Sequence, residues 1–222
     1  MMRRAVIVMA ACAFGGGTRA AAAQDSAAIA GLDRETAAQV GRIVETARAR
    51  GLPVGAILSK VRFAVVVHAP PGRIVATAQA VATRLDLARA VVAPHAAPGD
   101  IAAGEEALSF EVPRDVPRKV VQASPDRSVA VPIGVLTQLV VSGVPASKAG
   151  DIVTELMKRG ASPAQLVALG NDVNADVQSG ARAVESADIR MRGLTPLLAP
   201  AGSAASQGPV AGLQAGDPRR KP

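Results

Sequence analysis

Proline-led breaks recur along this chain and limit how long any regular element can run. They fall at Gly51-Leu52-Pro53, Ala69-Pro70-Pro71, Ala97-Pro98-Gly99, Glu111-Val112-Pro113, Val131-Pro132, Gly143-Val144-Pro145 and Ala161-Ser162-Pro163. Proline lacks an N–H and clashes inside a helix, yet its fixed φ suits the first helical position. Glycine before it supplies the left-handed residue that closes the preceding helix. Most successive joints lie 14 to 19 residues apart. That interval holds a helix of about 12 residues plus a tight turn. Pro71 to Pro98 is longer and predicts one extended helix, Arg73 to Val92. The expected fold class is all-α: short helices joined by Gly/Pro turns, in an irregular helical repeat or bundle.

The cap signals agree with this reading. Asp33 is a good N-cap, and Val40, Ile43, Val44 and Ala47 follow at helical spacing. Arg48 and Arg50 stand in the last turn, where cations favour the dipole, and Gly51 follows. Ser162, Pro163 and Gln165 spell a capping box with proline at the first helical position. Leu166, Leu169, Val173 and Val177 then form one apolar stripe. Ile152, Val153 and Leu156 do the same for the preceding helix, and Leu136, Leu139 and Val140 for the one before it. Two segments favour strands: the β-branched Val65-Val66-Val67, and the alternating Val129, Val131, Ile133 and Val135. Pro132 excludes a central strand from the second, and a lone strand from the first would have no partner. The expectation stays all-α, with Asp126 to Val131 as an extended connection. Pro117 and Pro125 keep any helix between Arg114 and Arg127 short.

A core for such helices must be built from Ala, Val, Leu and Ile. There is no Trp and no Tyr, and the phenylalanines are Phe14, Phe63 and Phe110. Small side chains bury little area each but let helices approach closely. Modest stability, or reliance on a partner or oligomer, is expected. The missing aromatics also remove the platform on which nucleic-acid and carbohydrate surfaces stack their ligands. The net charge of +7 does not restore that possibility. Residues 24 to 189 hold 17 basic and 17 acidic side chains, so the excess sits at the two ends. A basic groove tracking phosphates is not expected, and neither is nucleic acid as a partner.

The N-terminus reads as an export signal over residues 1–23. Arg3 and Arg4 precede an apolar run from Ala5 to Phe14, and Ala20 to Ala23 offer small residues for cleavage before Gln24. The run is too short to span a bilayer, so no transmembrane span is expected in the mature chain. Cys12, in Met9-Ala10-Ala11-Cys12, loosely matches a lipid-attachment motif; the plainer reading is a small apolar residue in a discarded peptide. Without Cys12 the mature chain has no thiol or disulfide chemistry. Residues 24–190 are expected to form the α-helical domain. Residues 191–222, dominated from Gly193 onward by Pro, Gly, Ser and Ala, are expected to form a disordered tail.

Candidate chemistry is sparse. His68 and His95 each sit beside a proline joint without neighbouring ligands, and read as loop or helix-end residues. Asp100, five residues past His95, reads as part of a loop. Asp172, Asn174 and Asp176 match the first three ligands of a calcium loop. Val177 stands where glycine should be and Ala183 where glutamate should be, so the stretch reads as helix with Asp172 and Asp176 on its solvent face. Glu105, Glu106 and Glu111 carry no feature beyond surface acids. Nucleophile-elbow, P-loop and zincin patterns are absent. No catalytic, cofactor-binding or metal-binding residue is therefore assigned, and no cofactor is implied.

The function expected from these features is an exported helical interaction or scaffold protein, periplasmic or extracellular, with a protein as partner. The alternatives are a periplasmic enzyme using Asp172, Asp176 or His68, or an envelope protein anchored through Cys12 or held by its basic tail at Arg219-Arg220-Lys221.

Overall fold

A computed structural model describes residues 31–95, 97–124 and 127–198. Residues 1–23, which read as an export signal, Cys12 among them, and the expected tail beyond residue 198 lie outside the described residues. Among those described, the chain is all-α, with nine helices and no strand. They are α1 (Arg34–Ala49), α2 (Val54–Val66), α3 (Pro71–Val92), α4 (Pro98–Ser109), α5 (Asp115–Gln122), α6 (Ala130–Val141), α7 (Ala146–Lys158), α8 (Pro163–Gln178) and α9 (Ala183–Leu194). A single 3-10 turn, Thr195–Leu197, follows.

Six of the joints share one hydrogen-bond pattern. Gly51, His68, Glu111, Gly143, Gly160 and Gly180 all have positive φ, from 54° at His68 to 102° at Gly143. In each case the next residue donates its N–H back to a carbonyl five residues earlier: Leu52 to Ala47, Ala69 to Ala64, Val112 to Ala107, Val144 to Leu139, Ala161 to Leu156 and Ala181 to Asp176. The left-handed residue itself donates to the carbonyl three before it. Together these bonds satisfy carbonyls that a helix end leaves open. In the first five joints the accepting residue is a buried aliphatic, so the cap also closes an apolar contact. In the sixth it is Asp176.

Two strand-like stretches are helical. Val65 and Val66 end α2, and Val131 to Val135 lie inside α6. The extended connection expected through Val131 therefore stops sooner, because α6 starts at Ala130. Pro132 fits there since its missing N–H lies within the first turn, where no intrahelical partner exists. The helix that begins at Pro163 contains the whole stripe from Leu166 to Val177. Gly180, with φ 99°, ends it, and α9 carries the helical region past residue 190 to Leu194.

The helices gather into two compact units, one ending at Asp86 and one beginning at Leu87. In the first, α1 packs on α2 through Val40, Val44, Ile57, Leu58 and Val61, all buried. In the second, α6 is the hub. Its sequence is apolar almost all round, as a helix covered over most of its surface requires, with Val131 and Val141 exposed near its ends. It packs against α4, α5, α7 and α8, while α9 lies on α8. The joints thus repeat, but the packing does not follow the neighbour-to-neighbour stacking of a solenoid. This unit is a bundle. Glycines set its close crossings: a Cβ on Gly150 would lie 2.5 Å from Val116 Cγ1, and one on Gly170 2.5 Å from Gln138 Oε1.

The buried apolar set is entirely Ala, Val, Leu and Ile. Both described phenylalanines stand outside it, Phe63 at 66% exposure and Phe110 at 42%.

Candidate functional site

The sixth joint differs from the others, and the reason lies in its side chains. Asp176 occupies the place where the other joints carry a buried aliphatic. Its carboxylate is held from α9 instead. Arg190 donates to it through two nitrogens, Nε to Oδ2 at 2.9 Å and Nη2 to Oδ1 at 2.7 Å. Ser186 Oγ donates to Oδ2 at 2.6 Å. Nη1 of Arg190 reaches Asp172 Oδ2 at 3.3 Å. The Arg190 guanidinium, then the Ser186 hydroxyl, hold the Asp176 carboxyl down to a pKa of about 2. A two-pronged guanidinium–carboxylate contact also fixes geometry, so it sets how α9 lies on α8.

Beside this clamp runs a groove of about 450 Å3 between α8, α9 and the closing 3-10 turn. Ala168, Leu169 and Leu194 contribute aliphatic surface, and Gln165, Asp172, Asp176 and Arg190 give it a polar side. Ile189 and Leu197 also line it, and both are largely exposed, at 59% and 76%. Two large aliphatics facing solvent across an apolar cleft are the feature that folding alone does not require.

The other candidates settle differently. Asp172 is exposed on α8 as expected, whereas Asp176 is half-buried against α9; with Asn174 they belong to a helix rather than a calcium loop. Among the described residues no group of three or more His, Cys, Asp or Glu could hold a metal ion. The Nε2 of His95 pairs with the Ser124 carbonyl at 3.0 Å, which ties two chain segments together. His68 closes the joint after α2 in a left-handed conformation, φ 54°.

Asp100 corrects the reading of a loop. It lies in the first turn of α4, is 2% exposed, and caps a different helix. Its Oδ1 accepts from Ser128 Oγ at 2.7 Å and from the N–H groups of Val129 and Ala130 at 2.9 and 2.8 Å. It thereby satisfies open donors at the start of α6. Glu105 is likewise no surface acid; it is buried, whereas Glu106 is exposed.

Two further grooves are more polar in their side chains. One, about 350 Å3 between α1 and α3, is lined by Arg42, Gln39, Gln79 and an Arg50–Asp86 pair at 2.6 Å. The other, about 450 Å3, lies among α5, α7 and α9, where Lys119 pairs with Asp151 and Lys148 with Asp188. In both, ion pairs already neutralise much of the charge a ligand would seek.

Arg190 is the residue that sequence reasoning passed over, since it reads as one of several terminal cations. The signal that could have found it is Ser179-Gly180, which matches Ser142-Gly143 but lacks the following proline. A turn there folds α9 back and brings Arg190 to Asp176. Compared with protein-family models, with curated proteins and with solved structures, the chain matches none.

Proposed function

We propose that the protein is an exported helical interaction protein whose α8–α9 groove holds an apolar segment of a partner protein. The observation that carries this reading is the pair Ile189 and Leu197, exposed on the lining of an aliphatic cleft with a charged rim. Grooves of this chemistry take amphipathic helices or extended apolar segments, with the aliphatic side chains as anchors and the rim fixing register. The Asp172–Arg190–Asp176 clamp keeps the cleft in one shape before a partner arrives, which lowers the ordering cost of binding. Catalysis is the weaker reading. A general base is best tuned near the working pH, and Asp176 is held far below it with both oxygens already accepting hydrogen bonds. Export rests on the N-terminal signal over residues 1–23, and places the partner in the periplasm or outside the cell.

A photo-cross-linking side chain at Ile189 or Leu197, in protein exported by its own cells, tests this. The expected result is one dominant protein adduct from either position. The purified adduct partner should bind the wild-type protein, and Ile189→Glu should abolish that binding. Adducts no more frequent or specific than those from a probe at exposed Glu106 would overturn the reading.

A further inference from the structure

The outer face of α2 changes chemistry along its length. Ile57, Leu58, Val61 and Ala64 are buried on one side. On the other, Lys60 and Arg62 are exposed. At the C-terminal end of the same face come Phe63, Val66 and Val67, 66%, 72% and 53% exposed. Spacings of three and four put these three side chains together. The chain then passes through exposed His68, Pro70 and Pro71 to exposed Arg73 at the start of α3. The α2–α3 joint is thus an apolar tip with a basic collar. Its most apolar member is a phenylalanine, held in water by a protein that buries alanines such as Ala47 and Ala64. Folding would gain more by burying it, since burial scales with apolar area.

The charge around the tip indicates what covers it. From Gly51 to Leu85 there is no Asp or Glu, while Lys60, Arg62, Arg73 and Arg84 stand in that stretch. Before it, the N-cap Asp33 of α1 accepts from the N–H groups of Glu35 and Thr36, Glu35 accepts from Gln39, and Glu45 pairs with Arg48. None of the grooves described above is lined by Phe63, Val66 or Val67. An exposed apolar tip with cations beside it suits a soft anionic surface better than a rigid pocket.

We infer that the α2–α3 joint docks on an anionic phospholipid membrane. Phe63, Val66 and Val67 enter the boundary between headgroups and acyl chains, and Lys60, Arg62 and Arg73 meet lipid phosphates. The inference uses the first unit alone, so its failure leaves the reading of the α8–α9 groove intact.

The test is co-sedimentation of the purified protein beginning at Gln24 with vesicles. One set contains phosphatidylglycerol and phosphatidylcholine in equal parts, the other phosphatidylcholine alone. The protein is expected to sediment with the first set and to stay in solution with the second. Lys60→Glu with Arg62→Glu should weaken binding at least about thirty-fold, from the loss of two interfacial charges. Phe63→Ser with Val66→Ser should weaken it by a similar factor. All four positions face solvent, so unchanged far-ultraviolet circular dichroism is expected and serves as the control for folding. Three results would overturn the inference. The first is no sedimentation with either set. The second is equal binding by wild type and both variants, which would assign the lipid contact to the basic residues near the C-terminus. The third is a dimer whose formation depends on Phe63 and Val66 and which leaves vesicles unbound.

Discussion

At the scale of single residues, the conformations that end helices and the groups that cap them matter most. His68 and Glu111 hold left-handed backbone that the other four joints give to glycine. For an ordinary L-residue that conformation costs about 1 to 2 kcal/mol. Glu111→Gly is therefore expected to raise stability by about 1 kcal/mol, less the entropy glycine adds to the unfolded chain. Gly160→Ala should lower it by about 1 kcal/mol, because a Cβ there meets no other atom within 4 Å and backbone strain acts alone. Chemical denaturation of both variants checks the pair, and shifts of the same sign would refute the account. Asp100 is a second case. Asp100→Ala strands the buried Val129 N–H and leaves Ala130 N–H and Ser128 Oγ only their 3.3 Å contact with each other, and is expected to cost about 3 kcal/mol. A loss under about 1 kcal/mol in the same assay would mean that water replaces the cap. Sequence reading could not foresee this role, because Asp100 caps a helix that begins 30 residues later, and capping rules are local.

Among the elements, most of the architecture was legible and one hairpin was not. All seven proline joints mark a helix start to within two residues, since proline can neither donate nor sit in a helix interior; Pro132 alone falls past the first residue of its helix, within the first turn of α6. The α8–α9 turn has Arg182 where the others have proline or serine, so it went unseen, and with it the contact between Arg190 and Asp176. That contact gives the hairpin a pH dependence of known sign. Asp176 titrates at about 2 when folded, below its ordinary value of about 3.9. Its stabilising contribution is present in full above the ordinary value and is lost as pH falls from about 4 toward about 2. Melting curves of wild type and Arg190→Ala should therefore differ at neutral pH and converge over that range. A constant gap would show that Arg190 acts through packing and not through the carboxylate. Size also sets the α5–α7 crossing, beside the Lys119–Asp151 ion pair that spans it. Gly150→Ala drives a methyl into Val116 and should cost about 2 kcal/mol. Adding Val116→Ala should make the Gly150 substitution less costly than it is alone, which a double-mutant cycle measures.

For the whole molecule, a core of Ala, Val, Leu and Ile leaves every described phenylalanine at the surface. All-α architecture followed from the recurring joints, whereas the choice of bundle over solenoid did not, because it depends on which helix becomes the hub. The chain has neither Trp nor Tyr. Its near-ultraviolet circular dichroism should thus be almost featureless in the native state, while its far-ultraviolet spectrum is strongly helical. A structured near-ultraviolet signal would mean that a phenylalanine is held in an asymmetric, packed setting after all. The same composition makes the protein optically dark to tryptophan-selective excitation. Any tryptophan emission in a mixture belongs to whatever has been added to it. A partner that brings a single tryptophan into the α8–α9 cleft would report its own arrival, unlabelled and against no background, and a titration could follow it with neither component modified.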